Sequence, residues 1–159
     1  MNKPFRFATI VLVAMATWTA SLSAAPIFQI RAVLEAPTDQ SEQMSIVTSS
    51  EGKVVRTEVV NVQKEVLFDQ SALKSAEVKT AQGHPVIAIT FTDDGRKRFA
   101  EVTRQHLGMR LAIIIEGRLY CAPKIMAEIT GGKAEVVGQF SESEAKDLAE
   151  KIAKAIRTP

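Results

Sequence analysis

The feature that most constrains this chain is the stretch of residues 111–140. Its first part, residues 111–115, is a nearly unbroken apolar run, which predicts a strand buried on both faces. The turn Glu116-Gly117 then leads into a second short strand over residues 118–121. No residue type in the whole stretch is arranged for chemistry. This pattern favours a binding or assembly module over an enzyme.

The rest of the stretch leads into a helix. Residues 124–129 are predicted to continue in extended conformation, Thr130-Gly131-Gly132 to turn, and residues 134–140 to form the last strand. Ser141 and Glu144 have capping-box spacing at the start of a helix. Apolar residues then recur at helical spacing and predict one buried stripe: Ala145, Leu148, Ala149, Ile152, Ala153 and Ile156.

Two strands and a second helix are predicted earlier in the chain. Residues 28–34 form the first strand and residues 86–91 a strong later one. Thr92 is the predicted N-cap of a helix that runs to about His106, and Gly108 follows in a C-terminal cap position. Because strands and helices are interspersed, the predicted class is α+β, a mainly antiparallel sheet with helices packed on one face.

The segments between these elements are less regular. Residues 35–53 are polar and have the composition of a loop. Residues 54–68 are rich in β-branched side chains and predict one strand or two short ones. Asp69 is a candidate cap for a short helix over residues 70–76, and Gly83-His84-Pro85 is predicted to turn.

The first 24 residues have the layout of a secretory signal peptide. Lys3 and Arg6 form a basic start, and residues 7–18 form an apolar run that is followed by small residues. The run is shorter than the about 20 residues that a membrane span needs. We expect cleavage after Ala24, with an uncleaved N-terminal anchor as the alternative.

Cleavage changes the charge balance. The full chain has 20 basic and 18 acidic residues, and the loss of Lys3 and Arg6 leaves 18 of each. A neutral mature chain argues against nucleic acid or anionic lipid as the main partner. The roughly 135 remaining residues suit one domain. We divide the chain into a signal peptide (1–24), an N-terminal strand and polar loop segment (25–65) and an α+β domain (66–159).

The sequence predicts no catalytic, cofactor-binding or metal-binding residues. His84 and His106 are the only histidines, and neither has another ligand at metal-binding spacing. Thr130-Gly131-Gly132-Lys133 lacks the full phosphate-loop spacing, so a turn with positive φ explains it better. Cys121 is the only cysteine and cannot close an internal disulfide. We expect it to be a buried structural residue; a reactive thiol or an intermolecular link is the alternative.

Basic residues cluster after the predicted N-cap Thr92. Arg96-Lys97-Arg98, with Arg104 and Arg110 beyond, could form a basic edge for an acidic partner. Residues 96–98 point in different directions on a helix, and nearby acids offset their charge. A solvated face is therefore the default interpretation.

A scattered set of residues carries a resemblance to a known family. The matching residues are Val86 to Thr92, Gly95, Phe99, Thr103, Gly108, Arg110 to Ile113, Gly117 to Pro123, Ile125, Ile129 to Gly132, Gly138 to Phe140, Glu144-Ala145 and Leu148-Ala149. From about residue 66 to 156 the chain resembles the head part of the first large periplasmic domain of SecD, the export-membrane subunit also found fused as SecDF. The combined motif is specific, although each piece alone is weak.

The resemblance implies a role in late protein export. In that family the head is thought to hold an emerging unfolded chain while the membrane part uses a proton gradient. The sequence ends soon after Ile156 with no transmembrane helices, so we expect a free-standing periplasmic head that is not itself proton-driven. Its expected partners are a protein or unfolded polypeptide, with possible contact to envelope or translocon components, and no nucleic acid or small-molecule cofactor.

Three hypotheses follow. The first is a polypeptide-binding or protein-binding module. Its expected contact region is the 35–53 loop with the sheet edge near residues 54–60, where a peptide could add as a strand. The alternative is a structural or oligomeric component of an envelope complex without a polypeptide client. The third is an enzyme, for which the sequence offers no catalytic constellation.

Overall fold

A computed structural model describes residues 25–50 and 53–158 of the chain. The predicted signal peptide, with Trp18, lies outside the described residues. In chain order, the elements are β1 (Phe28–Leu34), β2 (Ser41–Ser50), β3 (Lys53–Gln63), β4 (Phe68–Asp69), a 3₁₀ turn (Gln70–Ala72), β5 (Leu73–Ala81), β6 (His84–Phe91), α1 (Asp93–Gln105), β7 (Arg110–Ile115), β8 (Arg118–Cys121), β9 (Lys133–Val136) and α2 (Glu142–Arg157).

The described strands form two sheets. The larger has the order β2-β3-β1-β7-β8, and β4 pairs with β1 beyond the end of β3; the smaller has the order β5-β6-β9. All of these strand pairs are antiparallel. Both helices contact β6 of the smaller sheet, and α2 also packs along β5. The α+β class and the mainly antiparallel pairing are confirmed.

Strand β7 is buried on both faces, as its apolar run predicts. Leu111, Ile113 and Ile115 face the main core, which also contains the apolar stripes of both helices. Ala112 and Ile114 face a second, smaller core under the β2–β3 hairpin. Since side chains alternate along a strand, only an unbroken apolar run can supply both cores at once.

Both predicted helices are present with their predicted N-caps. Oγ1 of Thr92 accepts a hydrogen bond from the Gly95 amide at 3.0 Å, and Oγ of Ser141 accepts from the Glu144 amide at 3.2 Å. At the end of α1 the C-cap is His106, and Gly108 follows with φ +79°. Its amide donates to the Ile125 carbonyl oxygen, which turns the chain into β7.

The interpretation of residues 35–53 as a loop is wrong for most of that range. Residues 41–50 form β2, which pairs along its length with β3. Met44 and Ile46 pack on the second core, while the residues that alternate with them are exposed. The strand therefore has the usual two-residue periodicity, but its polar face is solvated and dominates the composition. Only residues 35–40 connect β1 to β2.

Two shorter predictions also differ from the structure. The helix over residues 70–76 is a single 3₁₀ turn capped by Asp69, because Leu73 already pairs with Phe91 in the smaller sheet. The turn before β6 is at Gln82-Gly83, both with positive φ, so His84 and Pro85 belong to the strand. The turn therefore lies one residue earlier than the sequence pattern predicts.

The last strand is shorter than predicted. β9 ends at Val136, where its pairing with β6 also ends, and residues 137–140 are irregular. Residues 124–129 are not a strand either, apart from one bridge between Lys124 and Arg110. The Thr103 side chain takes up one backbone group of this segment, which has no strand partner there. Its buried hydroxyl donates to the Phe99 carbonyl oxygen at 2.8 Å and accepts from the Ile129 amide at 3.0 Å.

Candidate functional site

In the part of the chain that the structure describes, strand β3 is unpaired over most of its length on the side that faces β1. Strand β1 pairs with β3 only through Val33 with Val62 and Leu34 with Asn61, and β1 then ends. β3 has eleven residues and β1 has seven. Among the described residues, 53–60 of β3 therefore pair with β2 on one side and with no strand on the other.

A groove continues the line of β1 beyond Leu34. Its second wall is the segment that precedes β7, because Val33 pairs with Arg110 at the start of that strand. Backbone hydrogen bonds of 2.8 Å join Gly108 and Met109 of this wall to Ile125. The groove has a volume of about 590 Å³. Past the end of β1, the space between β3 and the 108–110 segment is therefore open. We call this space the lane.

The groove has a mixed lining, in which apolar side chains lie beside the charged residues Glu35, Glu58, Arg110 and Lys124. Val33 and Leu34 lie at its closed end, and Val59 and Met109 line its walls. The side chain of Val59 is 57% exposed, although a valine in a strand is usually half-buried. Met126, next to the Ile125 contact, is also exposed. Flexible methionine side chains adapt to partners of different shape.

An ion pair joins the two walls. The Arg110 guanidinium donates to both carboxylate oxygens of Glu58, and its Nε donates to the Ala122 carbonyl oxygen at 2.7 Å. The hydrogen bond from Arg110 holds the pKa of Glu58 below its ordinary value, with further attraction from Arg110 and Arg56. Glu58 is therefore a paired carboxylate and is not poised as a general acid or base.

A polar network that runs from a buried glutamine to the surface joins β1 to the start of the β2–β3 hairpin. Gln29 is buried in β1, and its Oε1 accepts a 2.7 Å hydrogen bond from Nε of Arg31. Arg31 Nη1 also donates to Glu42 of β2 at 2.6 Å. The base of the hairpin is therefore held to β1, and this holds the wall of the groove in place.

The two histidines lie on different elements and do not form a metal site. His84 is exposed at the start of β6. His106 caps α1, and its Nδ1 lies 2.8 Å from the Val102 carbonyl oxygen. Within residues 25–50 and 53–158, no group of three or more His, Cys, Asp or Glu side chains is placed to hold a metal ion.

The glycine turn and the basic residues have structural contacts. Gly132 has φ +66° and lies against the side chain of Arg96, and a strand follows it, so the predicted turn is confirmed. Arg98 lies over the Phe68 ring, 5.0 Å from its centroid. The remaining charges form ion pairs, Lys97 with Asp94 and Arg104 with Glu101. The basic residues therefore do not form one continuous edge.

Cys121 is half-buried against the main core at the end of β8. Burial raises the pKa of its thiol to about 11, and a hydrogen bond from the Val137 amide opposes this rise only in part. We expect iodoacetamide at pH 8 to alkylate the folded protein about a hundredfold more slowly than the urea-unfolded protein, since the thiolate reacts. The rate should keep rising towards pH 11. Equal rates at pH 8 in both states would contradict this placement.

The described fold and groove define a class of protein. It is an α+β module that offers a strand edge, a groove of mixed apolar and charged lining, and no catalytic constellation among its described residues. None of its described helices is long and apolar enough to cross a membrane. The chain belongs to the family described as the SecDF P1 head subdomain, whose model matches residues 39–155. The match begins within the segment before residue 66 and so includes β2 and β3.

Curated relatives and solved structures agree with this family. The protein translocase subunit SecDF of Thermus thermophilus is 51% identical over 67 residues, which cover 42% of this chain and 9% of that protein. SecD of Sebaldella termitidis is 42% identical over 84 residues, 52% of this chain and 21% of that protein. A structure of SecDF, described as a membrane component that enhances protein export, matches with a TM-score of 0.62 and 28% identity. That match covers 80% of this chain and 62% of the solved chain.

Proposed function

We propose that this chain is a periplasmic module of the protein-export apparatus, that it carries a signal peptide at residues 1–24, and that it binds extended segments of unfolded polypeptide. The observation that carries the proposal is the unpaired edge of β3 beside a groove that is lined in part by Val59 and Met109. Membership of the SecDF P1 head family supports the export setting. The chain spans less than a quarter of the length of the translocase subunits it matches, so the activity of a whole translocase is not part of the proposal.

The proposed mode of binding is strand addition. The N–H and C=O groups that point away from β2, those of every second residue in 53–60, offer hydrogen bonds that any polypeptide backbone can complete. This suits a client of variable sequence, because the side chains contribute less to recognition. Neighbouring strands in a sheet are about 4.8 Å apart, so an added strand would continue the position next to β3 that β1 occupies at Val33 and Leu34.

The two faces of the lane differ. Successive side chains of a strand point to opposite faces, so Glu58 and Val59 lie on opposite sides of β3. The ion pair between Glu58 and Arg110 crosses the lane on one face. We therefore expect the apolar side chains of the added client strand on the other face, beside Val59. Apolar side chains at alternate positions of the client would contact Val59 and Met109.

The proposed partners are an unfolded polypeptide and envelope or translocon components. Binding needs no chemistry, and we propose no enzymatic activity. The competing function is a structural or oligomeric component of an envelope complex without a polypeptide client. The two functions differ in whether unrelated unfolded chains bind.

Titration of the mature chain with an unfolded, reduced and alkylated polypeptide, followed by NMR amide shifts, tests the proposal. We expect shifts at residues 54–60 and 107–110 at micromolar to millimolar concentrations. Val59→Glu should weaken binding about tenfold, since it puts a charge into the apolar contact. Val47→Glu is the matched control, because Val47 is exposed on the same face of the hairpin but on β2, away from the groove. Absence of shifts with several unrelated chains would favour the structural function.

A further inference from the structure

Strand β5 is an edge strand of the smaller sheet, whereas the groove belongs to the larger sheet. It runs for nine residues and pairs with β6 on one side, and no described strand pairs with its other side. Beside this edge, α2 leaves a shallow groove of about 1060 Å³ whose floor includes Ala76, Ala149 and Ala153. A long, regular edge with space beside it can pair with another strand.

The charges on β5 alternate in sign. Glu77 and Lys79 are two residues apart, so both side chains lie on the solvent face of the smaller sheet, and both are exposed. Val78 lies between them and packs towards the main core with Ala76. Lys74 is also exposed, but it lies at a bulge between Leu73 and Ser75 and has no partner on β6.

These charges favour one register for pairing β5 with the β5 strand of a second copy. In an antiparallel pair centred on Val78, Glu77 of each copy lies opposite Lys79 of the other copy, which gives two opposite-charge pairs. Centring on Glu77 or on Lys79 instead places like charges directly opposite each other. Opposite charges across a strand pair are favourable and like charges are unfavourable. Lys74 would lie opposite Gln82 in the favoured register and adds no repulsion.

We propose that two copies of this chain associate through β5, antiparallel about Val78, so that two three-stranded sheets become one continuous sheet. The contact is isologous, because the same residues of each copy form it and both ion pairs follow from one two-fold axis. An unrelated peptide would match this alternation only by chance. The groove beside α2 accommodates the side chains that the second copy presents on the α2 side of the sheet, including its Thr80.

The contact is small compared with the interfaces of permanent dimers, which bury over about 2,000 Å². We therefore expect a weak dimer with a dissociation constant in the range of about 10 µM to 1 mM. Because two exposed ion pairs contribute, 0.5 M NaCl should weaken it. The proposal is independent of the polypeptide-binding groove, since β3 and β5 belong to different sheets.

Sedimentation equilibrium of the mature chain at low salt, with charge-swap variants, tests the proposal. Glu77→Lys and Lys79→Glu should each weaken dimerisation at least about tenfold, because each creates like-charge pairs. The double variant Glu77→Lys/Lys79→Glu should restore the wild-type constant, since the pairs are re-formed with reversed signs. Lys97→Glu is the control, because Lys97 is an exposed lysine on α1 and carries the same charge change.

The variants change only exposed side chains, so circular dichroism should confirm that each one folds. A mature chain that stays monomeric up to 1 mM would overturn the proposal. Single variants with the dissociation constant of the wild type would also overturn it. So would a double variant that dimerises as weakly as the single variants. An unfolded polypeptide that shifts the amides of residues 74–81 in a monomeric chain would assign this edge to a client instead.

Discussion

Replacement of Phe99 by alanine should lower the free energy of unfolding by about 3–5 kcal/mol, the usual cost of removing a buried aromatic side chain. Phe99 is 4% exposed. Its ring stacks on Phe91 with centroids 4.4 Å apart and meets Phe68 edge-on at 5.5 Å. These contacts join α1 to both sheets, so the cavity would open within the aromatic cluster between them. Urea denaturation followed by circular dichroism measures the change.

The control for this substitution is Leu107→Ala. Leu107 is another apolar residue of the same region, but half of its surface is exposed. We expect its loss to change the free energy of unfolding by no more than about 0.5 kcal/mol. If Phe99→Ala is as mild as Leu107→Ala, α1 does not pack on the aromatic cluster as described.

Leu148→Ala should lower the free energy of unfolding by about 2–5 kcal/mol. Leu148 is buried in the middle of the apolar stripe of α2 and belongs to the main core with Ile87 and Ile89 of β6. The cavity would separate α2 from the smaller sheet. The same urea titration measures this change in the free energy of unfolding. An unchanged slope of that free energy against urea concentration would show that the unfolded state is not altered.

Ser141→Ala provides the comparison within the same helix. It removes the N-cap hydrogen bond to the Glu144 amide without creating a cavity, and we expect a cost of about 1 kcal/mol. Two equally mild substitutions would mean that α2 does not pack through its apolar stripe. A cost at Ser141 above that at Leu148 would be a stronger contradiction.

The elements that could be predicted from sequence are those specified by local chemistry. α1 and α2 each have a hydroxyl N-cap and an apolar stripe, so their starts and buried faces follow from the pattern. β7 follows from its unbroken apolar run. The turn Glu116-Gly117, with φ +50° and +75°, has the conformation expected between two short antiparallel strands.

The elements that were mispredicted depend on distant partners. β2 has a polar composition because one face is solvated, and its strand form comes from pairing with β3. β5 begins where Leu73 meets Phe91, eighteen residues later in the chain. β9 ends where β6 no longer offers a partner. In each case tertiary pairing overrides local propensity.

The groove could be predicted only in part. The composition predicts a contact region that consists of the 35–53 loop and the sheet edge near residues 54–60, but most of the loop is strand β2. The 108–110 wall was not expected, because nothing local places it opposite β3. β3 is longer than β1, and a long strand beside a short one leaves an unpaired edge, but nothing in the sequence shows that these two strands are neighbours. The ion pair between Arg110 and Glu58 joins residues 52 positions apart and had no local signature.

The unpaired edge of β3 has a mechanical consequence for the proposed client. A chain added to this edge lies along the strand axis, so a force that pulls it lengthwise loads all of its backbone hydrogen bonds together. A force across the edge breaks them one after another, starting from an end. The same complex would therefore resist backward slippage along the axis and still release a client that is peeled sideways. The direction of pull, more than the affinity, would set how long a client is retained.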